Sequence, residues 1–437
     1  MKILKEILKK NPVKLNEEHH IYIHDNGKFY NSVTGIIHNF KDDFVKPERM
    51  MDKYHLFVQW FNNAKDKHKY NILDVALDYF SFRGKTVVDG IFNRVYTPKL
   101  ATRYVADLYE TLDVLKDNNI QPEDVKIYIE SDGGVMSDDA ITKFWRILTD
   151  VATSYGSLVH LIMEQHINNK YHYHDLDYDT LISQAYEFYL EKRKLYLQYA
   201  SKVNYGNYGA FDIPTFKQKV VTAYDHLMVY LGDFCMAERI MYSEEYELCG
   251  MTDKLILFET ADNKLRIDIG DHKTNNVFDF VNKYKSTYHA PFSHLQCCSH
   301  SDYSLQAGMY LIMLQDELSA KGYDERHYTI GDKWVSYWNK KDETFSRIEL
   351  SDLRSEAKLM REIYFEKLRK IKNGLIKKNM LTDVDEKYHS FIASKSIGIL
   401  NHLETTGKLN GLSKGIVASK LMSYIEDFKT KLPTITN

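Results

Sequence analysis

Apolar positions recur along this chain at two periods, and the period changes twice. Residues 1–12 carry a short helical pattern that Pro12 ends. "HIYIHDNGKFYNSVTGIIHNF" then alternates around Asn26–Gly27, a strong hairpin turn signal, and Ser32 or Thr34 stands where a helix cap belongs. Residues 46–150 read as mostly helical with loops, and "ESDGGVMSDDAIT" at 130–142 as a loop ending at a cap. From 143 the helical spacing tightens: "AITKFWRILTDVATSYGSLVHLIMEQHINN" is one or two helices, and 180–204 and 212–232 are further amphipathic ones. The period then drops to two. "MYSEEYELCGMTDKLILFE" and "KLRIDIGDHKT" predict two strands joined by a turn at "TADN". A helix over 303–320 follows, then strands in "HYTIGDKWVSYWNK" and "TFSRIEL". Residues 351–378 predict a charged helix, and the tail to 437 is helical, divided near Gly407 and Gly411. No internal repeat is present.

One strand ends oddly. In "LRIDIGDHKTNN" the alternation of Leu265, Ile267 and Ile269 runs into Asp271, His272 and Lys273. Folding the two strands about a turn near Asp262 sets Asp253 opposite Asp271, and directly opposed residues share a face at roughly 5 Å. Lys273 returns to that face two residues later. Two opposed carboxylates repel unless a positive group lies between them, and Mg²⁺ takes a few carboxylates plus water and phosphate oxygens. Gly250, three residues before Asp253, leaves room for a bend or a close backbone approach.

Composition narrows the picture. The 437 residues suit a main domain with appended elements, and 44% hydrophobic residues suffice for a sizeable core. Seven prolines and 20 glycines argue against a loop-rich chain. The formal charge of -3 excludes a protein that binds nucleic acid through overall basicity, so any such contact needs a local patch. Four cysteines, Cys235, Cys249, Cys297 and Cys298, are too few for a disulfide framework and are expected to be reduced, in the cytoplasm. The N-terminus lacks the apolar run of a signal peptide, and no stretch of 18 apolar residues predicts a membrane span. Tyrosine is abundant at 33 and, with the many Lys, Asn and Ile, fits an AT-rich coding bias of the kind found in phages.

G-x-x-D followed by D-x-K across a hairpin resembles the PD-(D/E)XK nuclease superfamily. Gly156, His160 and Glu164 in "GSLVHLIME", and Gln306 and Tyr310 in "YSLQAGMYLIML", complete an order similar to its RecB-like branch. "FYNSVTGI" and "HLQCCSHSDYSLQ" look most like phage exonucleases and the mitochondrial genome maintenance exonuclease. The likeness covers about 150–340 firmly and 15–40 loosely. It implies an α/β fold: a restriction-endonuclease-like core with a central mixed sheet flanked by helices over 143–350. A hairpin and helical region at 1–142 and a partly basic helical extension at 351–437 would be additions. By the same resemblance His160, Asp253, Asp271 and the backbone carbonyl of His272 ligate the metal, Mg²⁺ or Mn²⁺. Lys273 polarises the attacking water and stabilises the phosphate, with Asp253, Asp271 and Lys273 the catalytic set. Gln306 and Tyr310 would hold the DNA backbone. Relatives usually carry an apolar residue where His272 stands, and its ring is expected to face away from the metal. Some relatives hold an iron–sulfur cluster, but the adjacent Cys297 and Cys298, with no later cysteine, lack the spacing, and none is expected here.

Weaker readings stand beside these. Other D-x-K triplets begin at, among others, Asp124, Asp262 and Asp427, so the triplet alone is not specific. Glu164 is either a partner of the metal ligands or an ion-paired helix residue, and Glu238 either assists at the metal or forms a structural salt bridge. "YHYHD" at 171–175 lacks a third ligand at a usual spacing. The basic stretches Lys192–Lys194 and "KLRKIKNGLIKK" are either solvated helix faces or contacts to phosphates. The expected function is a metal-dependent DNA exonuclease in phage replication, recombination or degradation, acting in the host cytoplasm on free ends or single strands. The helices of 46–150 would wall its site, and a replication or recombination protein would be a partner. An endonuclease or branched-DNA resolvase on the same core, and a non-catalytic protein that binds DNA ends, are the alternatives. No P-loop is present, so unwinding is not expected of this chain.

Overall fold

A computed structural model describes residues 2–9, 11–16, 21–41, 138–171, 176–200, 208–227, 232–275, 277–282, 285–405 and 414–436. The expected helical wall over 46–137 and "HYHD" at 172–175 lie outside them. The chain divides into two units. One comprises residues 1–43, 152–191 and 205–437; the other comprises 44–151 and 192–204. Of the second unit the described parts are the first turns of a helix beginning at Asp138 and the last turns of one ending at Ala200. This division runs across the boundaries expected at 142 and 350.

The first unit is α/β, with a mixed sheet of eight strands flanked by helices. After helix α1 (Lys2–Ile7) come β1 (Val13–Asn16), β2 (Ile21–His24) and β3 (Phe29–Ser32), an antiparallel meander. Its second turn is the predicted one, with Gly27 at φ 80°, where a side chain would be strained. Ser32 ends β3 and caps α2 (Val33–His38), its Oγ accepting from the Gly35 N–H at 3.1 Å. The helices α3 (Asp138–Tyr171), α4 (Tyr178–Ala200) and α5 (Ile213–Leu227) precede the central strands. These are β4 (Phe234–Ser243), β5 (Leu248–Glu259) and β6 (Leu265–Lys273). Then follow α6 (Ser299–Ala320), β7 (Tyr328–Asn339), β8 (Thr344–Glu349), α7 (Arg354–Lys377), α8 (His389–Thr405) and α9 (Lys414–Thr436).

Two differences from the sequence reading matter. The segment read as one strand through "MYSEEYELCGMTDK" is a hairpin: β4 and β5 pair antiparallel around a turn at 244–247. The N-terminal meander is not separate either, because β3 joins β5 in parallel through Asn31↔Leu248 and Ser32↔Cys249. The β5–β6 hairpin has the predicted register, from Glu259↔Leu265 to Lys254↔Gly270. Since β4 occupies one edge of β5 from Leu248 to Leu257, β3 and β6 share the other edge. Residues 250–253 lie in the gap between them. Beyond Gly270, β6 pairs with β7 alone, Asp271↔Val335 to Lys273↔Tyr337. The sheet therefore splits at the point where the acids stand.

Both faces are covered. Leu255, Leu257, Ile267 and Ile269 pack with Met309, Met313 and Leu314 of α6, and beyond them lie Met360 and Leu368 of α7 and Ile392 of α8. Helix α6 is apolar nearly all round, which suits a helix enclosed by sheet and helices. Each such fully buried side chain contributes about 1.5–3 kcal/mol. On the opposite face Tyr155, Phe216 and Trp338 meet edge to face, and Trp338 Nε1 donates to Tyr155 Oη at 2.8 Å, tying α3 to β7. Among the described residues no helix is long and apolar enough to cross a membrane.

Candidate functional site

The split in the sheet gathers the expected residues. Asp253 and Asp271 are the first residues past the last β5–β6 pair, both nearly buried at 8% and 9% exposure. With no β5 residue paired beyond Gly270, the His272 N–H donates to Asp253 Oδ2. Lys273 forms an ion pair with Asp271 Oδ2, and its ammonium also lies 4.8 Å from the ring centre of Tyr303.

Helix α3 delivers His160 from one side. Gly156, a turn earlier, allows this approach: a Cβ there would come within 2.8 Å of Thr274 Oγ1, just past the end of β6. His160 Nδ1 lies 3.6 Å from Asp253 Oδ2. Glu238 arrives from β4 by an unusual route. Its neighbours Ala237 and Arg239 pair with Lys254 and Thr252, but Glu238 itself sits out of the ladder with φ 51°. A left-handed non-glycine in mid-strand is costly and typical of sites where a side chain must be re-aimed. One ligand atom each from His160, Glu238 and Asp253 lie within 4.8 Å of one another. Glu164, four residues after His160, accepts from Tyr178 Oη at 2.8 Å and adds a negative charge near Glu238.

Helix α6 supplies the other wall. Gly250 is where it comes closest: a Cβ there would overlap the Tyr310 ring. Tyr310 is buried at 4% exposure, and its hydroxyl accepts from Gln306 Nε2 at 2.6 Å. Half-buried Gln306, with Asp271, Thr252 and Tyr303, lines a cleft there. Tyr310 also lines this cleft, and its hydroxyl holds Gln306.

The electrostatics are those of an over-acidic site. Burial, then the charges of Asp253 and Glu164, push Glu238 well above the usual carboxylate range. Burial and the Asp253 charge push Asp271 up to about 7, with Lys273 opposing. Burial and the Lys273 charge lower His160 to about 4, leaving a neutral imidazole able to ligate. Burial works against the charge on Lys273, but Asp271 and Asp253 outweigh it and hold the ammonium above its ordinary value.

His272 was expected to turn its ring away. The ring is buried and lies edge-on to both His160 and Tyr224, with centroids 5.6 Å from each. Sequence reading missed its neighbour Lys254, which is fully buried behind the site. Its Nζ donates to Ser336 Oγ at 2.5 Å and Tyr224 Oη at 3.3 Å, and burial lowers it to about 7. Nothing in the local pattern marks it beyond a lysine at a position flanked by apolar residues. Tyr303 and the left-handed backbone of Glu238 were also unforeseen. Part of the basic helix α7 is committed to packing: Lys367 donates to Asn401 and Lys372 to Ser390. None of the four cysteines is in a disulfide; Cys235 and Cys249 are buried in strands, while Cys297 and Cys298 precede α6.

Searches against protein-family models, curated proteins and solved structures find no match for this chain.

Proposed function

We propose that this chain is a metal-dependent deoxyribonuclease of the PD-(D/E)XK type, hydrolysing phosphodiester bonds from DNA ends. The observation that carries this reading is the convergence of His160, Glu238 and Asp253 within ligand reach of one point, beside the Asp271–Lys273 pair. The donor chemistry fits a divalent cation. Glu238 and Asp271 are raised first by burial and then by neighbouring carboxylates, Asp253 for both and Glu164 for Glu238. Carboxylate oxygens with one imidazole suit Mg²⁺ or Mn²⁺.

A bound cation supplies Lewis acidity and lowers the pKa of water. The protein's own groups do the rest. His160, Glu238 and Asp253 would hold the ion, and Asp271 beside them would orient water and the Lys273 ammonium. In the metal-free site the charges of Asp271 and Asp253 favour the ammonium form of Lys273. It donates to a non-bridging phosphate oxygen, where a fixed cation favours the extra charge of the transition state. Gln306, held by Tyr310, offers an amide to the phosphate backbone. The preference for ends follows the likeness to phage exonucleases and is decided by topology of substrate.

The test is degradation of end-labelled linear single- and double-stranded DNA and of closed circles, with Mg²⁺ or EDTA. Wild type is compared with Lys273→Ala. Linear DNA should disappear only with Mg²⁺, and the variant should lose at least about a hundred-fold in rate, as removal of a preorganised charge-stabilising donor does. Cutting of circles would make it an endonuclease. Tight end binding with no cleavage under either condition would make it a non-catalytic DNA-end protein.

A further inference from the structure

The loop after β6 holds apolar side chains out to solvent. Val277, Phe280 and Val281 are 70%, 59% and 66% exposed. This is not slack chain. Asp279 accepts from the Ser299 N–H at 3.2 Å and from its hydroxyl, and its carbonyl accepts from the His300 N–H. Asn282 Nδ2 donates to the Cys297 carbonyl at 2.6 Å, and the Asn282 N–H donates to Gln296 Oε1 at 2.9 Å. Cys298 Sγ reaches the Phe280 carbonyl at 3.3 Å. The loop is clamped to the start of α6, so its apolar tips are presented by a rigid frame.

The rings run from this loop to the site. Lys273 lies over Tyr303; Tyr303 meets Phe278 at 5.7 Å; Phe278 meets Phe280 at 5.3 Å. Phe280 in turn stacks on His300, with centroids 5.4 Å apart and planes inclined by 30°. His300 Nε2 is fixed by the Glu349 carbonyl at 3.1 Å, so the face of Phe280 is backed by an immobilised ring. Two rings, Tyr303 and Phe278, thus link Lys273 to Phe280.

We propose that Phe280, backed by His300 and flanked by Val277 and Val281, is a stacking platform for an unpaired nucleobase next to the reacting phosphate. The inference rests on the nuclease reading and adds a strand preference to it: bases must be unpaired to offer a face there. Exposed apolar groups would bind a peptide or a second copy as well. Continuity of the ring series with Lys273, and the stacked, fixed arrangement of Phe280, favour a base.

The experiment measures binding of a single-stranded oligonucleotide containing 2-aminopurine, and of a blunt duplex, in EDTA so that no cleavage intervenes. Wild type, Phe280→Ala, Phe280→Leu and Phe280→Tyr are compared, with melting temperature as the check on folding. Phe280→Ala and Phe280→Leu should each weaken single-strand binding about ten-fold, with loss of 2-aminopurine quenching, while Phe280→Tyr retains both. Duplex binding should change little. Equal affinity in all four proteins, or full affinity in Phe280→Leu, overturns the platform. Neither result touches the nuclease reading, which fails separately if wild type cleaves nothing or Lys273→Ala cleaves as fast.

Discussion

At the scale of single residues the site is a set of carboxyls that hold protons reluctantly given up. With Asp271 near 7 and Glu238 well above its ordinary range, the metal-free protein carries protons there at neutral pH. His160, lowered to about 4, carries none. A divalent cation must displace the carboxyl protons but meets an imidazole that is already neutral. The sign follows: affinity for Mg²⁺ or Mn²⁺ should fall as pH drops from 8 to 6, and binding at pH 7 should release protons. Calorimetric titration of the whole protein in buffers of different ionisation enthalpy counts them. Asp271→Asn should release fewer. Affinity and proton count both flat between pH 6 and 8 would show that these carboxyls are not displaced by the ion.

At the scale of elements, the site depends on how closely α6 lies on β5. The missing side chain at Gly250 is filled by the Tyr310 ring, with Val33 of α2 also within 3.0 Å of a Cβ built there. Gly250→Ala should therefore cost about 1–3 kcal/mol in stability, as overpacking does, and move Gln306 with Tyr310. A urea midpoint unchanged from wild type would show that the helix can retreat freely. This part of the site was legible: the β5–β6 turn and its register follow from alternation and turn chemistry, and G-x-x-D was marked by the resemblance. Strand β4 was harder. Glu238 leaves the ladder at φ 51° without a change of register, and the turn to β5 uses Glu247 at φ 47° in place of glycine or asparagine. The pairing of β3 with β5 involves two residues about 217 positions apart in sequence, through Asn31 and Leu248, and no local pattern encodes such a contact. Lys254 was opaque for a similar reason. Its partners Tyr224 and Ser336 come from other elements, and only the assembled fold shows that its amine is satisfied.

At the scale of the molecule, the two ends of the chain close on each other beside the site-bearing strands. Phe29 of β3 packs on Tyr388 at 4.7 Å, on Phe391 at 5.4 Å and on Phe428 of α9 at 6.3 Å. Phe428 itself is 4% exposed and also meets Tyr388 and Phe391. Read as sequence, the N-terminal hairpin and the C-terminal helices look like appendages. In the fold they belong to the same compact unit as β5 and β6, and β3 is the neighbour of β5 just where the sheet splits. An aromatic removed from this junction leaves a cavity among rings that cannot easily collapse, so Phe428→Ala should destabilise by about 3–5 kcal/mol. The informative readout is where the loss is felt. If the ends and the central strands form one cooperative unit, amide exchange should accelerate in 248–273 as well as in 21–32 and 414–436. Faster exchange confined to the two ends, with 248–273 as protected as in wild type, would mean that the terminal elements open independently and that the split in the sheet is maintained by the core alone.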